Sequence, residues 1–261
     1  MSRLLSFIYG VVCYLIFFVT FLYAIGFVGN LLVPKSIDSG QPAPLAQALL
    51  INCALLMLFA VQHSVMARPW FKRWWTQYVS PAIERSTFVL LASLALILLY
   101  WQWRPMTQTV WSLEGAAAVV MNVIFWSGWG LVLLSTFMIS HFHLFGLTQV
   151  HQHLLGRQLT EPQFNTRALY KYMRHPIMVG FFLAFWATPV MTAGHLLFAV
   201  ATSGYILVGV YFEERDLRRA FGARYEQYRR EVRMFLPFRK APADGSGRGL
   251  AVERTEVPPL Q

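Results

Sequence analysis

Between Arg174 and Glu213 the chain carries no Asp, Glu, Lys or Arg. As one straight helix, residues 176–212 would reach about 55 Å at 1.5 Å per residue, far beyond the ~30 Å hydrocarbon core of a bilayer. The run must bend. Thr188-Pro189 and Ala193-Gly194 supply the break, since proline removes a backbone donor and glycine is the easiest C-terminal stop. A hairpin closing near residues 189–195 returns the chain to the face it left, so Arg174 and Glu213 are predicted to meet at one membrane boundary. The first arm is short for a full crossing, which leaves a partial, tilted or re-entrant insertion open.

Four further apolar runs, at about residues 4–32, 45–67, 86–103 and 116–140, are each near the ~20 residues that a helical crossing needs. The chain is 56% hydrophobic and only 13% charged, against roughly 25% charged in ordinary soluble domains. The expected fold is therefore an all-α integral membrane protein. It has four transmembrane helices, then the helical hairpin, five to six spans in total, then an amphipathic cytoplasmic helix at 213–235. Residues 1–238 read as a single membrane-embedded domain. The tail at 239–261 has no apolar period and is expected to be disordered. The first run is too long for a signal-peptide core and reads as a retained span.

A formal net charge of +10 raises the question of nucleic acid, but its distribution answers otherwise. With alternating spans, Arg3, Arg68, Lys72, Arg73, Arg85, Arg157, Arg167, Lys171, Arg174 and the arginines after Phe212 all fall on one side. Only Lys35 and Arg104 edge the opposite loops. This asymmetry puts both termini in the cytoplasm, against an anionic leaflet, and calls for no nucleic acid and no obligate protein partner. Cys13 and Cys53 lie inside spans as buried small hydrophobes and build neither a disulfide framework nor a metal site.

Polar residues cluster at the basic ends of the spans. Gln62-His63-Ser64 closes the second, and Glu84-Arg85 opens the third. Such groups commonly bond helices to one another, worth about 0.6–2 kcal/mol per contact. An ionisable residue at membrane depth is nonetheless a functional candidate, which singles out His63. Glu84 and Arg85 can neutralise each other. After Phe212, Leu217, Phe221, Tyr225, Tyr228 and Val232 recur at helical steps among seven arginines, an interfacial amphipathic pattern. Glu213 and Glu214 have an ordinary alternative there in salt bridges to Arg215, Arg218 or Arg219.

Arg174-His175-Pro176, the apolar run, Glu213-Glu214-x-x-Leu217, Phe221-Gly222-x-x-Tyr225-x-x-Tyr228 and Pro237, taken in order, resemble the C-terminal half of the isoprenylcysteine carboxyl methyltransferase superfamily. Tyr9-Gly10, Tyr14, Tyr23, Gly26-Phe27-Val28-Gly29, the run from Gln62 to Pro69 and Glu84-Arg85-Ser86-Thr87 are similar to the nurim family of multi-span proteins. The likeness covers about residues 1–238. It implies a bacterial inner-membrane enzyme using S-adenosylmethionine, released as S-adenosylhomocysteine, to methylate a small thiol: methanethiol to dimethyl sulfide, and hydrogen sulfide to methanethiol. It also implies Tyr170, Arg174, His175, Glu213, Glu214 and Leu217 around the cofactor. Met178, Ala168 and Pro162-Gln163-Phe164 depart from the wider superfamily's pattern and shift the expected acceptor away from prenylcysteine.

Charge suggests the roles. Arg174 can fork to the cofactor carboxylate, and Glu213 or Glu214 can take its ammonium or ribose hydroxyls. Arg174 or a protonated histidine can favour a thiolate. The candidate bases are His175, then His63, then Glu213. His141-Phe142-His143 and His151-Gln152-His153, in the loop after the fourth span, raise metal binding as a rival, but residues two apart point to different sides of a helix. A polar loop near the cofactor entrance is the reading adopted, with no metal. A prenylcysteine or lipid-headgroup acceptor and a non-catalytic membrane scaffold stay open. Phe181, Phe182, Phe185 and Trp186 are candidates for narrowing the pocket.

Overall fold

The computed structural model describes residues 2–160, 166 and 168–238. The tail at 239–261, Pro162-Gln163-Phe164 and Arg167 lie outside the described residues. The described residues are mostly helical: α1 (Arg3–Gly29), α2 (Leu45–Met66), α3 (Pro69–Trp75), α4 (Pro81–Gln102), α5 (Gly115–Ile139), α6 (His141–Leu144), α7 (Leu147–Leu154), α8 (Pro176–Trp186) and α9 (Ala193–Glu231). Five of these, α1, α2, α4, α5 and α9, are long and apolar enough to cross a bilayer. Their outward faces carry residues such as Leu50, Met57, Val119 and Val123, which suits contact with lipid tails.

Local chemistry sets the ends. The Ser2 side chain accepts from the Leu5 amide to start α1, and Asn30 stops it in the left-handed region at φ 53°. Ser80 caps α4 with Pro81 at its first position, so this span begins earlier than the expected residue 86. Inside, Phe27, Tyr100, Trp103, Trp129, Phe185 and Phe198 form the largest apolar cluster. Trp103 satisfies its indole N–H on the Ile37 carbonyl at 3.0 Å. Gly128 and Gly180 let α5 and α8 touch backbone to backbone: a Cβ on either would lie within 2.8 Å of main-chain atoms of the other helix. Cys13 is buried as expected, whereas Cys53 is exposed on the lipid-facing side of α2.

The hairpin differs from its expected form in three ways. Its first arm, α8, has only 11 helical residues, about 16 Å. Extended chain follows it, and Val190–Thr192 pairs antiparallel with Thr109–Ser112 in a two-stranded sheet that the all-helical reading missed. Second, the returning arm does not stop at Phe212. It continues through the expected cytoplasmic helix as a single 39-residue element, broken only at Gly222 (φ 50°, ψ −128°). Third, that element ends at Glu231 and not at 235. Val232 is extended, and the Arg174 and His175 amides donate to the Arg233 and Met234 carbonyls at 3.0 and 3.1 Å. The C-terminal segment therefore straps the start of α8. The histidine loop is also more ordered than expected, forming α6 and α7 around Gly146 at φ 91°.

Candidate functional site

The hairpin brings Arg174, His175, Glu213 and Glu214 together at the basic end. Arg174 Nε donates to Glu214 Oε1 at 2.7 Å, and Nη2 lies 2.7 Å from the same oxygen. Its Nη1 donates to the Val232 carbonyl at 2.5 Å and the Arg229 carbonyl at 3.4 Å. The guanidinium is thus committed to the protein, and the carboxylate fork assigned to it from sequence is already filled by Glu214. Glu214 Oε2 takes Arg229 Nε at 3.2 Å. The pair is closed off: both side chains are 5% exposed.

His175 bridges the two glutamates. Its Nε2 is 3.2 Å from Glu214 Oε1, and its Nδ1 is 3.6 Å from Glu213 Oε2. Glu213 is the contrast, with a side chain 48% exposed, so it keeps acceptor capacity for a ligand. The salt bridges to Arg215, Arg218 and Arg219 considered for this pair do not form; Glu214 pairs with Arg174 and Arg229 instead.

Tyr170 lies in a short 3-10 turn, Ala168–Lys171, and accepts at its carbonyl from the Tyr228 hydroxyl at 2.6 Å. Its own phenol is buried without a hydrogen-bond partner. Burial, with the Glu213 carboxylate next in effect, pushes that phenol up, so it remains a neutral donor. An orphaned buried hydroxyl beside a half-open carboxylate matches a ligand that carries acceptors together with an ammonium. Leu217, one helical turn after Glu213, is half-buried on the same face of α9.

His63 sits apart from this cluster, at the α2–α9 contact. Arg68 connects the two places: its Nη1 is 2.8 Å from Asp216 Oδ2, its guanidinium lies 5.5 Å from the Phe212 ring centre, and its charge reaches both His63 and Glu213. Neither Arg68 nor Asp216 was assigned from the sequence. A charge at membrane depth was the available signal for Arg68. Glu84 and Arg85 do not pair with each other as their main contacts: Glu84 faces Lys72 at 3.9 Å, and Arg85 Nε donates to the Leu144 carbonyl at 2.7 Å.

The other candidates turn out to be packing. Phe181 and Phe185 pack edge-on against Trp129, Phe182 meets Phe235, and Trp186 donates to Ser203. His141 is buried between the Tyr14 hydroxyl at 2.9 Å and Thr136 Oγ1 at 2.8 Å. His143 meets the Thr160 carbonyl, and His151 rests on Phe7. Among the described residues no three His, Cys, Asp or Glu side chains converge as metal ligands. A cleft of about 640 Å³ between α1 and α4 opens beside Lys35 and Trp101, and none of these charged groups lines it.

A family model described as NnrU protein matches residues 51–234. The methanethiol S-methyltransferase of Mycobacterium tuberculosis is 58% identical over 239 residues, covering 91% of this chain and 98% of that protein. Methanethiol S-methyltransferase 1 of Bradyrhizobium diazoefficiens is 56% identical over 240 residues, 92% of this chain and 84% of the relative. Mouse nurim is 30% identical over 193 residues, 68% of this chain and 71% of nurim. No solved structure matches the chain.

Proposed function

The chain belongs to the NnrU protein family, and from that premise we propose that it methylates methanethiol to dimethyl sulfide, with hydrogen sulfide as a second acceptor and S-adenosylmethionine as donor. The donor supplies a methyl group on a positively charged sulfur. The supporting observation is one exposed carboxylate, Glu213, held beside a sealed Arg174–Glu214 pair and an orphaned Tyr170 hydroxyl.

The residues divide the work by their remaining bonding capacity. Glu213 takes the donor's ammonium, Tyr170 offers its hydroxyl to an acceptor oxygen, and the half-buried Leu217 covers apolar ligand surface. Arg174 and Glu214 act as positioning residues: they pin α9 to the start of α8 and fix the His175 ring between two carboxylates. His175 stays a candidate to relay a proton toward Glu213. A thiolate and a sulfonium lose opposite charges as they react, so a poorly hydrated, lipid-flanked site favours the transfer. Holding sulfur and methyl carbon at near-attack distance supplies the rest. The basic end faces the cytoplasm of a bacterial inner membrane, where a water-soluble donor is present and where the arginines meet anionic lipid.

The test uses membranes, labelled S-adenosylmethionine and a panel of thiols, a prenylcysteine and phospholipid. Labelled dimethyl sulfide is expected from methanethiol, with its loss in Arg174→Ala and Glu214→Ala. Undiminished turnover in both variants would remove the cluster from the reaction.

A further inference from the structure

Arg174 and Glu214 are matched to protein groups, and Glu213 and Tyr170 are assigned to the donor, which leaves the acceptor to be placed. One turn back along α9 the packing changes. His63 on α2 lies in an aromatic cage, with ring centres of Phe59 at 5.3 Å, Phe88 at 4.9 Å and Tyr205 at 6.4 Å. Its Nδ1 is buried with no hydrogen-bond partner, which is costly unless a ligand satisfies it. Tyr205, Gly209 and Glu213 follow at steps of four and share one face of α9. Gly209 is half-buried, yet a Cβ built on it meets nothing within 4 Å. Open space therefore lies over Gly209, between Tyr205 and Glu213 on that face of α9.

Resting on the methyltransferase reading above, we propose that the acceptor thiol occupies the space over Gly209, with His63 Nδ1 receiving its proton. The S–H proton moves to the imidazole, and the sulfur lone pair forms the new S–C bond. The electron pair of the breaking C–S⁺ bond stays on the departing thioether, and the imidazolium returns its proton to water.

Gly209→Leu fills the gap, and Gly204→Leu is its control: same helix, same change, also open around the built Cβ, but on the exposed side. Neither glycine has a positive φ, so both variants are expected to melt like the parent. For Gly209→Leu the expected result is a KM for methanethiol raised roughly tenfold or more. S-adenosylhomocysteine affinity should be unchanged, and Gly204→Leu normal. In His63→Gln, kcat for methanethiol falls about 100-fold, and the deficit shrinks with an acidic thiol already ionised at the assay pH. Equal KM in the two leucine variants, or an equal His63→Gln deficit for every thiol, overturns the proposal. Parent protein that binds S-adenosylhomocysteine yet methylates no thiol overturns it and spares the donor-site reading. Failure to bind S-adenosylhomocysteine sinks both.

Discussion

The sealed Arg174–Glu214 pair makes a sharp energetic prediction. Removing one member of a buried ion pair leaves the other charge without compensation, which costs about 3–5 kcal/mol. Both side chains are 5% exposed, and no other carboxylate lies within salt-bridge distance of Arg174 among the described residues. Arg174→Ala and Glu214→Ala should therefore each lower stability by roughly that amount, a large share of the ~5–15 kcal/mol typical of whole proteins. The double variant should not lose the sum. Once both charges are gone no orphan is left, so the coupling should reach about 2–3 kcal/mol. Arg229, which also contacts Glu214, keeps some of the penalty in Arg174→Ala smaller by retaining a cation near the carboxylate. The assay is denaturant unfolding of purified protein in detergent, with S-adenosylhomocysteine binding followed in parallel. Additive losses would refute the claim that these residues act as one closed unit, and single losses below about 1 kcal/mol would place the pair in water.

Tyr170→Phe removes a buried hydroxyl that has no protein partner, so the melting temperature should hold or rise while S-adenosylhomocysteine affinity falls several-fold, read by titration calorimetry. Gly180→Leu should separate α5 from α8 and destabilise strongly, since its Cβ would meet the Gly128 carbonyl and Val132 at 2.8 Å; thermal melts check this. Burial holds His141 below the usual histidine range. Its neutral form stabilises the fold above the unfolded pKa near 6.5, and that stability drains as pH falls below it toward the depressed folded value. Melting temperature measured from pH 7 down to 5 should decline, with a shallower slope in His141→Asn. A reporter fused after Phe238 should read out as cytoplasmic, and periplasmic activity would reverse the orientation.

Much of this protein is legible along the chain because a bilayer imposes one-dimensional rules. Apolar runs near 20 residues become helices, since backbone groups in lipid must bond within their own segment. The same rule predicted that residues 176–212 fold back and bring Arg174 to Glu213. Period alone misled where a single residue changed the geometry. Gly222 at φ 50° breaks the amphipathic repeat from Leu217 to Val232, and the short α8 gives way to a strand paired with Thr109–Ser112.

Which charges are available for chemistry was decided only in three dimensions. Arg174 and Glu213 look equivalent as flanks of one apolar run, yet the first is consumed by Glu214 and two carbonyls, while the second stays half open. Arg68 and Asp216, 148 positions apart, meet because α2 packs on α9, and no local pattern encodes that meeting. Burial and hydrogen-bond partners depend on neighbours from other helices, so the sequence alone determined the membrane fold and the set of ionisable residues. Tertiary packing then selected which of them remain free to hold a ligand.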